Sequence, residues 1–293
     1  MNATSANNLR RVTHVSGLLI GIAVIFALLL YAILQYPASL SQGGQGSLLS
    51  TAGALLAYGA AALWARGHTS DLLQVALEQG ARIGLLLGTF AVVNHVLEIF
   101  AALDSTVSTI LGVSMWGLLF LAFGSVASAT YQRSGSLGLA ITASIWCALV
   151  STVMTLIAGY TIAVLFMPHM QQIFQGTYAQ SGMTDPQAFV IRNTLSSGAS
   201  HVLLAPIIAL VFGCAGGIAG ALLGSVQRRV AIALGVGELL LVTAGLAAIR
   251  FASSLNRPER PPFIMFGLLA LGVTMACAYP ILMAIRHGSK RTI

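Results

Sequence analysis

The sequence predicts an all-α protein, a polytopic transmembrane helical bundle of about eight spans, and three observations carry that expectation. Only 7% of the residues are charged while 57% are hydrophobic, whereas a water-soluble domain has roughly a quarter of its residues charged. The apolar residues fall in continuous runs, most of them near the roughly 20 residues that cross a hydrocarbon core of about 30 Å. Those runs lack the strict apolar/polar alternation of a membrane β-barrel. A mean hydropathy of +0.89 also excludes a disordered chain, which would be polar and charge-rich. The expected solvent, and the first expected partner, is the lipid bilayer.

The runs lie near Val15–Leu34, Leu48–Ala65, Ile83–Ala102 and Val107–Thr130, then Leu137–Met167, Leu195–Gly224, Ala231–Ile249 and Phe263–Ile285. Turn chemistry separates them: Tyr36-Pro37, Gly43-Gly44, Arg133-Ser134-Gly135, Pro168 and the stretch from Pro258 to Pro262. Arg10 and Arg11 precede the first run as in a signal peptide. Its apolar core is too long and no clean cleavage site follows, so an uncleaved first helix is expected. All of 1–293 reads as a single membrane-embedded domain, with the longest polar stretch in an extracytoplasmic loop over 168–194. Within it, Asp185-Pro186 has the pattern of an N-cap followed by proline at the first helical position. Ser70-Asp71 marks a similar start ahead of the third span, where Glu78 and Arg82 stand four apart and can pair.

Orientation follows the distribution of Arg and Lys. With the N-terminus inside, Arg10, Arg11, Arg66, Arg82, Arg133, Arg228, Arg229, Arg286, Lys290 and Arg291 fall on the cytoplasmic side. Arg192, Arg250, Arg257 and Arg260 fall outside, and both termini are then cytoplasmic. If Ala231–Ile249 does not cross, the count drops to seven and the C-terminus moves outside. The net charge of +7 is spread singly or in pairs at the ends of apolar runs. That is a topological signal and a contact with anionic headgroups, not a nucleic-acid surface, so no nucleic-acid partner is expected. Cys147, Cys214 and Cys277 all lie in apolar runs without CxxC spacing and read as packing residues. No phosphate-binding loop, HExxH, GxSxG or dinucleotide fingerprint occurs, and no motif calls for a cofactor.

An ionisable side chain in hydrocarbon costs about 2.5–3.5 kcal/mol on insertion scales, so it needs a partner or a task. The third span carries Asn94, His95 and Glu98 within one sector of the helix, together with the small residues Gly88, Ala91 and Ala102. The expectation is that this sector faces the bundle. His201 in the sixth span and Tyr160 in the fifth fall at a similar depth, and Pro206 frees the carbonyl of Val202 close by. Three readings fit: a proton or ion site built on Glu98, His95 and His201, a metal site with those three as ligands, or a structural contact that fixes helix packing. Glu238, in the inner half of the seventh span beside Gly235 and Gly245, is a second buried carboxylate suited to a relay across the membrane or to a local hydrogen bond.

The glycines are mainly architectural. Gly213, Gly216, Gly217, Gly220 and Gly224 give overlapping GxxxG steps in the sixth span, with Gly84/Gly88 and Gly17/Gly21 adding one step each. Small residues let backbones approach where lipid gives no hydrophobic drive to associate. Internal packing is expected first, with a homo-oligomer or a partner membrane subunit as the other use of such faces. Ser197-x-x-x-His201 resembles a motif of the seven-helix membrane hydrolases that include alkaline ceramidases and adiponectin-type receptors. The HxxxH pair expected near the end of the chain is absent, so no family is assigned. The composite expectation is a small transport-type protein of a bacterial cytoplasmic membrane, rather than an enzyme, handling a proton, ion or small solute. Its rivals are a membrane-embedded metal hydrolase and a non-catalytic subunit or scaffold.

Overall fold

A computed structural model describes residues 3–68, 70–101 and 105–223. The seventh and eighth predicted runs, Glu238, Gly224, Cys277 and the orientation of the C-terminus lie outside the described residues. Eight α-helices and one short π-helical turn follow one another: α1 (Ala3–Gln35), the turn Leu40–Gly44, α2 (Gln45–Gly67), α3 (Asp71–Phe100), α4 (Ser105–Ser134), α5 (Leu137–Leu165), α6 (Met167–Ile173), α7 (Gln175–Ala179) and α8 (Pro186–Leu222). No strand occurs among the described residues. Six helical stretches, Val15–Gln35, Leu40–Gly67, Asp71–Phe100, Val107–Ser134, Leu137–Leu165 and Pro186–Leu222, are long and apolar enough to cross a bilayer. The end that carries residues 36–44 and 166–185 is called upper below.

Local chemistry sets the helix ends. The Ser70 hydroxyl accepts from Leu73 N, and Ser136 does the same for Leu139 N at the start of α5. The Asp185 carboxylate accepts from Gln187 N at 2.8 Å and Ala188 N at 3.2 Å, with Pro186 at the first helical position. Gly135, at φ +64°, turns the chain between α4 and α5, and Gly43, at φ +102°, ends the turn that links α1 to α2. Both conformations strain any residue that has a Cβ. The lead-in at Asp71 and the one at Pro186 each merge with the following span into one unbroken helix. Glu78 and Arg82 form the expected ion pair on α3.

Helix α5 is the axis of the bundle. Helices α1, α3, α4 and α8 pack on it, and α1–α2, α2–α8, α8–α4, α4–α3 and α3–α1 contacts close a ring around it. Its apolar window is 56% buried, against 22–33% for the other five candidate spans. The outer helices turn large apolar side chains outward: Ile20, Leu34, Leu56, Leu86, Ile207 and Val211 are all exposed. Water would penalise such a surface by about 25 cal/mol for each Å² of apolar area, whereas lipid does not.

Glycines decide how close the helices come. A Cβ on Gly80 would strike the Ala143 carbonyl, one on Gly84 would lie 2.7 Å from the Cys147 carbonyl, and one on Gly88 would lie 2.8 Å from Met154 Sδ. This four-residue stripe seats α3 on the backbone of α5. The overlapping steps on α8 serve two neighbours. Gly213 and Gly217 meet Ser144 and Ala140 of α5, while Gly216 and Gly220 meet Gly124 and Ser128 of α4. Two interleaved GxxxG registers thus let α8 lie in the groove between two helices. The Gly17/Gly21 step is not used as a pair: Gly21 meets Val153, but a Cβ at Gly17 would meet nothing. One turn of drift at the 3.6-residue period leaves Gly17 on the outward side.

Candidate functional site

The stripe that α3 presses onto α5 continues upward from Gly88 and Ala91 to Asn94, all buried. One helical step around from Asn94, the half-buried His95 ring reaches α5, with Nε2 3.8 Å from where a Cβ of Gly159 would stand. The Asn94 side-chain amide donates to Glu98 Oε1 at 3.2 Å, so the carboxylate is held by its own helix. Glu98 itself is exposed, against the expectation that its whole sector faces the bundle. Asn94 is the last buried residue of the α5-facing stripe, and Glu98, one turn higher, stands exposed above it. Asn94 Oδ1 is buried and has no hydrogen-bond partner among the described residues.

On α8, Nδ1 of the exposed His201 lies 2.8 Å from the Ser197 carbonyl, which fixes the ring along its helix. His201 and His95 lie within electrostatic reach of each other. The structure therefore brings α3 and α8 imidazoles into one neighbourhood, with Asn94 and Glu98 one turn away. It does not assemble a metal centre there. Among the described residues no three His, Cys, Asp or Glu side chains converge to hold a metal ion, and His95, Glu98 and His201 do not form a ligand set.

Tyr160 belongs to a second polar seam, between α2, α5 and α8. Its hydroxyl lies against the backbone of Gly198, where any Cβ would collide with it, and has no hydrogen-bond partner among the described residues. Thr51 of α2 lies beside it, and the Thr51 hydroxyl is turned to its own Ser47 carbonyl at 2.8 Å. Lower down, the roles of the two helices are exchanged: Tyr58 of α2 lies beside Thr152 of α5. The Tyr58 hydroxyl donates to the Val202 carbonyl of α8 at 2.7 Å. Val202 is four residues before Pro206, and proline has no N–H to give it. The carbonyl orphaned by the proline is thus satisfied from another helix, and α8 continues unbroken to Leu222.

Sequence reasoning located the orphan carbonyl but not its donor, which lies 144 residues away. One signal was present: a buried bare carbonyl requires a hydroxyl, and Tyr58 is the tyrosine of the second span. His169 was also missed as a bracing group. Its Nε2 donates to the Ile99 carbonyl at the upper end of α3 at 3.0 Å, and its ring stacks on Phe100 at 5.1 Å between centroids.

Fold and site define a class: the described residues are all-α, and the six long apolar helices among them are compatible with a multi-pass membrane protein. Compared with known proteins, the chain matches no family model, no curated protein and no solved structure.

Proposed function

We propose that this protein is a multi-pass membrane protein that moves a proton or small cation through the upper polar cluster of Asn94, His95, Glu98 and His201. The single observation that carries the reading is the neighbourhood itself: two imidazoles from different helices and a carboxylate one turn away, in a chain of which only 7% is charged. Histidine and carboxylate chains are the side chains with which membrane proteins relay protons. Glu98, exposed at the upper end, is the entry; His95, half-buried beside Gly159 of α5, is the inner station. The Asn94 amide and the Ser197 carbonyl restrain two members of the cluster, Glu98 and His201.

The test is flux in liposomes loaded with a pH-sensitive dye, comparing wild type with Glu98→Gln and His95→Gln. The reading expects a loss of about tenfold or more in each variant, the lower end of what a proton-transfer group contributes, at unchanged thermal midpoint. Wild-type flux in Glu98→Gln rejects the relay. Lowered stability with no transport activity in any form supports the scaffold reading instead.

A further inference from the structure

Apart from the polar cluster, the upper end carries a cation without a counter-ion among the described residues. Arg192 is half-buried on the second turn of α8, and its one hydrogen bond runs from Nη1 to the Met183 thioether at 3.2 Å. A thioether is a weak acceptor, and a guanidinium has five N–H groups to place. Asp185, the nearest acid in sequence, directs its carboxylate to the amides of Gln187 and Ala188 as the α8 cap. Glu78, on another helix, is paired with Arg82.

The guanidinium is nevertheless held in place. It lies across the Gly43 backbone, with Nε 3.5 Å and Cζ 3.8 Å from where a Cβ would stand. The neighbouring Gln42 amide reaches Thr184 at 3.4 Å, so the α1–α2 turn and the segment before α8 close over the same spot. Gly43 has the positive φ that only glycine adopts freely, and the guanidinium packs where another residue would carry its Cβ. A positioned, partly desolvated planar fork with no carboxylate partner is the group that recognises a phosphate through paired N–H bonds. Its level agrees: Arg192 stands three residues above Leu195, where the apolar run begins, or about 4.5 Å at the helical rise. That is the layer of lipid headgroups.

We propose that Arg192, seated on the Gln42–Gly43 turn, forms a binding site for a phosphate group, and that a phospholipid headgroup supplies it. The site is independent of the polar cluster, and neither proposal needs the other. Full-length protein in detergent is titrated with phosphatidylglycerol, with inorganic phosphate and with diacylglycerol, which has the same acyl chains but no phosphate. Bound ligand is read by native mass spectrometry and by the thermal midpoint. Phosphatidylglycerol is expected to bind wild type about tenfold or more tightly than Arg192→Gln, the loss expected for a charge-assisted pair. Arg192→Lys, which keeps the charge but not the fork, is expected in between.

The same Arg192 dependence with inorganic phosphate, but not with the lipid, supports the site and assigns it to a soluble phosphate. Equal binding of phosphatidylglycerol and diacylglycerol overturns the proposal, as does wild-type affinity in Arg192→Gln. If Arg192→Gln does not fold, wild-type affinity in Arg192→Lys overturns it in its place.

Discussion

Tyr58 donates to a carbonyl that nothing else can serve, and the consequence is measurable. Tyr58→Phe keeps the ring, which is 5% exposed, and removes only the oxygen. The Val202 carbonyl, 2.7 Å away, is then left bare on a residue that is 1% exposed. Leaving a buried acceptor unsatisfied costs about 1–3 kcal/mol. Side-chain hydrogen bonds between membrane helices average about 0.6 and reach about 1.7 kcal/mol, because broken partners usually find others. Val202 has no intrahelical alternative, since Pro206 lacks the N–H, so the upper part of that range applies, about 1.5 kcal/mol.

Pro206→Ala supplies the missing N–H to the same carbonyl. In that background Tyr58→Phe removes a second donor, not the only one, and is expected to cost about 0.5 kcal/mol or less. The coupling in the double-mutant cycle is therefore about 1 kcal/mol. Reversible unfolding in mixed micelles, followed by helix signal for all four proteins, measures it. Strict additivity, with Tyr58→Phe equally costly beside proline and alanine, would refute the assignment of Tyr58 as the substitute donor.

The packing and capping readings lead to three more measurements. Gly84→Ala and Gly216→Ala put a methyl against the Cys147 and Gly124 backbones and are expected to lower stability by about 1–3 kcal/mol. Gly53→Ala, where a Cβ meets nothing, should leave the thermal midpoint unchanged or slightly raised. Asp185→Ala removes the acceptor for two amides at the start of α8 and should cost about 1 kcal/mol, seen as faster amide exchange at Gln187 and Ala188. Thr130→Val breaks the hydroxyl contact to Gln79 at 2.8 Å that joins α4 to α3 and should cost about 1 kcal/mol in the same unfolding assay.

Whatever depends on neighbours in sequence could be read from the sequence. The six apolar runs within the described residues are helices, and the caps at Ser70 and Asp185 and the Glu78–Arg82 pair stand where local pattern put them. Glycine spacing foretold close packing, but not that α8 would divide its glycines between α4 and α5, because a spacing names a face and not the helix that meets it. The candidate site was legible in part. Asn94 and Glu98 pair as their i,i+4 spacing allows, yet the exposure of Glu98 depended on where burial along α3 ends, which is at Asn94. Tyr160 was picked for its depth, but it faces Gly198 and Thr51 in a seam apart from the histidines. The partners of that seam are long-range, and no periodicity encodes which hydroxyl will meet which carbonyl.

The whole account rests on lipid surrounding the outward faces of the helices, and single-cysteine labelling in intact membrane vesicles tests that most directly. Cysteines replace Leu86, Leu56 and Val211, all outward and 59–69% exposed, and Gln180 in the upper loop, in a chain with its native cysteines changed to serine. A membrane-impermeant maleimide, applied to each face of the membrane in turn, is predicted to label position 180 from one face and to leave 86, 56 and 211 unlabelled until detergent is added. Ready labelling of the three apolar positions without detergent would contradict it.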